Sequence, residues 1–255
     1  MKIVSYNVNG IRAAMKKGLA EWMSEYDADV YCLQEIKANE EDIDKEVFEK
    51  LGYHTQFFSA QKKGYSGTGI ISKKAMSKVE KGAGMEQADF EGRIIHGKID
   101  DVYIVNTYFP SGSSGDLRQD YKMEFLSEYL PWAQKLRKKH KKLLILGDFN
   151  ICHKAIDIHD PVRNKKSSGF LPEERDWMED YFNLGFTDSL RYFNPHPHQY
   201  SWWSYRANAR ANNKGWRIDY ISSSNKMDDA LEDAGILSDV KHSDHCPIFL
   251  KLKEN

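Results

Sequence analysis

Cysteine is scarce in this chain: three residues in 255, at positions 32, 152 and 246. An odd number so widely spaced builds neither a disulfide framework nor a zinc-type pair. Cys32, Cys152 and Cys246 therefore read as buried free thiols, and the expected compartment is a reducing cytoplasm. Long apolar runs are missing too, none approaching the roughly 18 residues that a membrane helix needs. The opening MKIVSYNVNGIR turns polar within a few positions, so the expectation is a first strand and no secretory leader. Charge of one sign is absent as well: 37 basic residues meet 38 acidic ones, leaving −1. Overall charge thus gives no reason to expect nucleic acid, and any such reason must come from local patches. With no repeat, low-complexity tract or Pro/Gly-rich linker, residues 1–255 read as a single domain with ample core.

What is present is an alternation of short β-branched or aromatic runs with helical patterns. The runs include Lys2–Tyr6, Val30–Leu33, Thr68–Ser72, Ile94–Ile99, Val102–Tyr108, Leu143–Leu146, Arg217–Ser222 and Ile248–Leu252. Helices are expected over Gly18–Tyr26, Asp42–Leu51, Leu117–Lys139 and Pro172–Leu184, the last opening with proline and two glutamates. Alternating strands and helices point to an α/β fold, and neighbouring runs such as 94–99 and 102–108 add antiparallel pairing.

The apolar runs repeatedly end in polar, ionisable groups. IVSYN ends at Asn7, VYCLQE at Glu35, IVNTY at Tyr108 and LLILGDFN at Asp148 and Asn150. Asp219 lies in RID, and Asp244 and His245 stand just before the last run. Any one of these suits an ordinary turn. Together they describe a site on one edge of a sheet, where strand ends hold side chains rigidly yet leave them open to solvent.

The motifs IVSYNVNGIR, LQEIK, YFPSG, GDFN, GWRIDY and SDHCP span almost the whole chain in this order. They resemble those of the exonuclease III family of apurinic/apyrimidinic endonucleases, within the endonuclease/exonuclease/phosphatase superfamily. The resemblance implies a four-layer, DNase I-like α/β sandwich of two packed mixed sheets flanked by helices. It also implies a DNA repair enzyme that incises duplex DNA on the 5′ side of abasic sites, leaving a 3′-OH, and that trims or unblocks 3′ ends. Nucleoid association is expected in a prokaryote, and a monomer is the expected state.

Phosphodiester hydrolysis needs a nucleophilic water, neutralisation of the phosphate and help for the leaving 3′ oxygen. Glu35 is a hard oxygen ligand suited to Mg²⁺, with Mn²⁺ able to substitute. Asn7 would hold Glu35 and Asp148 by amide hydrogen bonds or touch the ion itself. Asp148 can orient or deprotonate water while Asn150, on the same face, donates to a phosphate oxygen. Both belong with the metal set that the resemblance implies, as do Asp244 and His245. His245 would be held by Asp219; cationic it binds phosphate, neutral it takes a proton. Tyr108 could bond the phosphate or protonate the leaving oxygen. Asn9 stands where the human member carries aspartate and matches the bacterial pattern, which argues against a second ion held there.

Between Ser189 and Ile218 there is no acid, yet Arg191, Arg206, Arg210, Lys214 and Arg217 interleave with Trp202, Trp203, Tyr205 and Trp216. Such a stretch suits phosphate contact and stacking; Trp203, Tyr205 and Arg206 are its expected DNA contacts. A second element, RNKKSSGF (163–170), matches a DNA-binding loop of the family, with Asn164 and Lys165 near the cut. Arg12, Lys37, Gly64 and Tyr65 occupy similar backbone-contacting positions. Trp202, Trp216 and Ile218 resemble the apolar pocket that receives a flipped-out sugar lacking its base. KLRKKHKK (135–142) reads instead as the solvated end of a helix, and His196 and His198 as a surface turn.

The same scaffold serves secreted DNases, sphingomyelinases, inositol-polyphosphate phosphatases and RNA deadenylases. Tyr108 in YFP, the tryptophan-rich 200–218 segment and the compact length favour the abasic-site branch. A catalytically dead DNA-binding relative would have lost one of Glu35, Asp148, Asn150, Asp219 and His245, and all are present.

Overall fold

Two six-stranded sheets account for every strand of the computed structural model, which describes residues 1–253. The strands are β1 (Lys2–Asn7), β2 (Val30–Gln34), β3 (His54–Phe58), β4 (Thr68–Ser72), β5 (Ser77–Lys81) and β6 (Ile94–Ile99). They continue with β7 (Val102–Tyr108), β8 (Leu143–Asp148), β9 (Phe186–Asp188), β10 (Asp219–Ser224), β11 (Leu231–Ile236) and β12 (Ile248–Leu252). The first sheet runs β11-β12-β1-β2-β4-β3 and the second β5-β6-β7-β8-β10-β9. Each is mixed in the same way: one central parallel pair, β1 with β2 or β7 with β8, and antiparallel neighbours on both sides.

Period-two alternation sets the layers. Ile3, Val30, Cys32 and Ile70 of the first sheet meet Ile104, Leu144, Leu146 and Ile221 of the second in a shared interior. Val4, Tyr6 and Tyr31 point outward onto the helices Ile11–Met15 and Leu19–Tyr26. On the other side, Tyr103, Val105 and Ile145 pack against the helices Asp116–Lys139 and Pro172–Asn183. The result is the four-layer α/β sandwich that the motifs imply. The three cysteines are buried and free. No helix among the described residues is long and apolar enough to cross a membrane.

The two-residue repeat also aims the strand ends. Asn7 shares parity with Ile3, Tyr108 with Ile104, Asp148 with Leu146, and Asp219 with Ile221. All four therefore face the layer between the sheets, at its open end. Cross-strand register lines up three of them: Tyr108 pairs with Asp148 and Asp148 with Asp219. A buried amide clamp fixes the two sheets against each other just below. Gln34 Nε2 donates to Asn106 Oδ1 at 2.7 Å, and Asn106 Nδ2 donates to the carbonyls of Leu33 and Gly69 at 2.9 and 2.8 Å.

Candidate active site

Four residues at the end of the interior layer stand in the left-handed region although none is glycine: Asn9 (φ 46°), Glu35 (φ 51°), Lys37 (φ 48°) and Asn150 (φ 51°). Such backbone costs about 1–3 kcal/mol per residue and collects at functional sites. Gly147 shows the same demand from another side. A Cβ there would lie 1.8 Å from the carbonyl oxygen of Thr107, so only glycine lets β8 approach β7 closely enough to deliver Asp148.

Asn7, fully buried, bridges the sheets by donating through Nδ2 to Glu35 Oε1 at 2.8 Å and to Asp148 Oδ2 at 2.9 Å. Asp148 also accepts the backbone N–H of Asn150 at 2.8 Å. Asn150 Nδ2 donates to the carbonyl of Phe109 at 3.0 Å. Asp219 Oδ2 holds His245 Nδ1 at 2.9 Å, which turns Nε2 toward Asp148 Oδ2, 3.8 Å away. Tyr108, almost wholly buried, closes the row.

Electrostatics follow from crowding four carboxylates together. Burial pushes Asp148 up, and the charges of Asp219 and Glu35 push it further. Burial is the largest single influence on His245 and opposes its charge, but the charge and hydrogen bond of Asp219, with the charges of Asp148 and Asp244, together outweigh it, so the imidazole is raised and its cationic form favoured. Burial would likewise raise Glu35, yet the ammonium of Lys37, 2.7 Å from Oε2, holds it below its ordinary value. Tyr108 is raised by burial and then by Glu35.

A divalent cation fits this donor set. Glu35, Asp148 and His245 each offer a ligand atom within 4.8 Å of the others. Four carboxylates (Glu35, Asp148, Asp219 and Asp244) face only Lys37 and the imidazolium of His245. Burial and this crowding raise Asp148 to about 7, and a bound cation would relieve the repulsion; Asp219 Oδ1 is buried with no hydrogen-bond partner. A charged imidazole has no lone pair to give, so the oxygens of Glu35 and Asp148 are the better ligands. Asp244 is otherwise engaged: Oδ1 accepts from Asn9 at 2.9 Å and Oδ2 from the Trp202 indole at 3.0 Å.

Trp202 and Trp216 stand edge to face, centroids 6.0 Å apart, against a small apolar cluster of Cys152, Ile158, Phe170 and Ile218. The wall passes directly into the cluster of acids, since Trp202 pairs with His245 in a β-bridge. Ile158 and Phe170 escaped the sequence reading. Each lies in a short apolar patch within a polar loop, Ile156-Asp157-Ile158 and Phe170-Leu171, too brief to mark a strand or helix.

The outer surface departs more from expectation. Arg12, Lys37 and Gly64 line one groove of about 710 Å³. Tyr205, Arg206, Lys214 and Lys165 are exposed. Trp203, expected on the DNA face, is buried at 4% exposure beneath the guanidinium of Arg210, with its indole bonded to Asn213. Three of the five cations in the acid-free stretch are also spent inside the protein. Arg217 is buried against Asp157 and Asp188, Arg191 binds Asp157, and Arg210 donates to the carbonyls of Ser238, Val240 and Ser243. Asn164 uses its amide hydrogens on the carbonyls of His159 and Asp160 and so shapes its loop. The Tyr65 hydroxyl is bonded by Arg93 and Arg118.

Fold and site together define a class, and comparison with known proteins narrows it. The family model described as Endonuclease/Exonuclease/phosphatase family matches residues 4–245. An exodeoxyribonuclease of Bacillus subtilis is 40% identical over 98% of both chains. A DNA-(apurinic or apyrimidinic site) endonuclease of Dictyostelium discoideum is 39% identical over 97% of this chain and 69% of its own. Among solved structures, an AP endonuclease from Archaeoglobus fulgidus superposes with a TM-score of 0.92 at 28% identity, covering 100% of each chain. The chain belongs to the exonuclease III branch of this family.

Proposed function

We propose that the protein is a Mg²⁺-dependent DNA repair phosphodiesterase that incises duplex DNA on the 5′ side of abasic sites, leaving a 3′-OH, and also works on 3′ ends. One observation carries the reading: an acid cluster fed by both sheets opens directly beside an apolar tryptophan pocket. The relatives, named as exodeoxyribonuclease and AP endonuclease, support it. Residues 1–255 act as one monomeric domain.

Glu35 and Asp148, steadied by Asn7, would hold the ion, which when bound supplies charge neutralisation at the phosphate. Asp148 orients the attacking water and takes its proton. His245, held by Asp219, binds a non-bridging phosphate oxygen; Asn150 Nδ2 spends its two hydrogens on the Phe109 carbonyl at 3.0 Å and Asp148 Oδ2 at 3.3 Å, and would donate to the same group only by releasing one of them. Tyr108 gives a proton to the departing 3′ oxygen as its bond to phosphorus breaks. Trp202, Trp216 and Ile218 would accept a bare deoxyribose and exclude a base by shape. The deciding experiment is a duplex with one central abasic analogue, incubated with Mg²⁺ or EDTA and sized on a gel. A single Mg²⁺-dependent cut immediately 5′ to the lesion is expected. No cut, or equal cutting of an undamaged duplex, would refute the reading.

Trp216→Ala is expected to lose discrimination, with abasic incision falling while cutting beside a normal nucleotide falls less or rises. A purely structural role would lower stability by roughly 3–5 kcal/mol and depress all substrates alike; both activities and the melting temperature separate the two.

DNA affinity should fall with salt, each phosphate contact adding roughly 0.9 to the slope of log K against log salt. Charge reversal at the exposed Arg206 or Lys165 should flatten it by about one unit, whereas a slope near zero in the parent protein would mean that these residues do not meet phosphate.

A further inference from the structure

Arg93 has no place in the roles assigned so far, although it is 1% exposed and lies directly behind Tyr108. Its guanidinium carbon stands 4.6 Å from the centroid of the Tyr108 ring. Nη1 donates to the Tyr108 carbonyl at 2.9 Å, Nε to Glu91 Oε2 at 2.6 Å and Nη2 to the Tyr65 hydroxyl at 3.3 Å. The backbone returns the contact, since the Tyr108 N–H donates to the carbonyl of Arg93 at 2.8 Å. Arg118, from the long helix Asp116–Lys139, closes the cluster by donating to Glu91 Oε1 at 3.0 Å and to the Tyr65 hydroxyl at 2.9 Å.

Neutralising one buried glutamate would need a cation near Glu91 and nothing more. Instead, a planar fork engages the ring face and the carbonyl of the same tyrosine, a combination that lysine cannot reproduce. The strand fixes the Cα of Tyr108 but leaves rotation about its side-chain bonds. A cation on the ring face, most effective when both groups are desolvated, restricts that rotation. Glu91 and Arg118 in turn lock the fork.

We propose that Arg93 is a positioning residue for Tyr108: it holds the phenol ring by one face and by its own carbonyl, so that the hydroxyl stays aimed into the acid cluster. The inference rests on the reading of Tyr108 as the group that serves the leaving oxygen.

A double-mutant cycle on Mg²⁺-dependent incision of an abasic duplex tests it, using the parent protein, Arg93→Lys, Tyr108→Phe and the double variant. Arg93→Lys keeps the charge opposite Glu91 and loses only the fork. It should lower kcat by about 10- to 100-fold, the scale of a small misplacement, with KM changed less than about twofold. In the Tyr108→Phe background the same change should cost less than about twofold, because the two residues act on one step. Full additivity, or an unchanged kcat in Arg93→Lys, would overturn the proposal. If Tyr108→Phe alone leaves kcat untouched, the role given to Tyr108 fails first, which is a separate outcome. Should Arg93→Lys not fold, the charge-free pair Glu91→Gln with Arg93→Met must show the same non-additivity.

Discussion

Asp148→Asn is expected to lower turnover by about 10²- to 10⁴-fold, the usual worth of a positioned acid–base group, while DNA affinity holds or rises. The substitution keeps volume, and its one carbonyl oxygen can still accept from Asn7 or from the Asn150 backbone, which now bond separate oxygens at 2.9 and 2.8 Å, but not from both. What it removes is the charge that faces His245 Nε2 at 3.8 Å and that would hold a cation with Glu35. Affinity should survive because it depends on exposed cations elsewhere, and one fewer anion beside a phosphate only helps binding. Single-turnover incision and fluorescence anisotropy, measured on the same folded variant, check both halves. Near-normal turnover would take Asp148 out of the chemistry.

The second large effect concerns stability. Arg217→Met should cost about 3–5 kcal/mol, the range for leaving buried charges without their partner. Arg217 is 1% exposed and binds Asp157 Oδ1 at 2.8 Å and Asp188 Oδ2 at 2.8 Å; only Asp157 has a second guanidinium, that of Arg191. Burial alone would raise Asp157, but Arg217 and Arg191 outweigh it and hold it down at about 2, against an ordinary 3.8. The folded carboxylate thus binds a proton less readily than the unfolded one. Its contribution, on the order of 2 kcal/mol, is complete above the unfolded value and is lost as pH falls toward the folded one. In Arg217→Met the folded value rises, so acid unfolding should begin at higher pH. Urea titrations between pH 2 and 7 measure the shift, and an acid limb identical to that of the parent protein would rule the account out.

Strand content was legible where strands are buried and illegible where they are not. Thr68–Ser72, Ile94–Ile99, Val102–Tyr108 and Ile248–Leu252 stand in the structure with the bounds that their apolar runs indicate. The strands that the runs did not reveal are β3, β5, β9 and β11, and these are the four edges of the two sheets. Edge strands need polar or short sequences to avoid pairing with other chains. SKVEK is accordingly almost wholly exposed and charged, FTD is three residues long, and LEDAGI carries two acids and a glycine. The strand-end acids were visible for the opposite reason: each interrupts a buried run. The basic stretch misled because a counter-ion can lie far away in sequence. Asp157 stands 60 residues from Arg217, and nothing local marks that arginine as internal.

The matching arrangement of the two sheets has a consequence for how the enzyme can fail. Asn7 and Glu35 come from the ends of the parallel pair of one sheet, Tyr108 and Asp148 from the parallel pair of the other, so each sheet brings half of the proposed catalytic set to a seam. The Gln34–Asn106 amides act as the registration pin of that seam. Slippage by one residue would shift the halves by about 3.3 Å, whereas misplacement by about 1 Å already costs about 10²-fold in rate. Activity is therefore a gauge of sheet alignment. A substitution in the shared interior, remote from every catalytic side chain, can silence the enzyme while leaving it almost as folded as before.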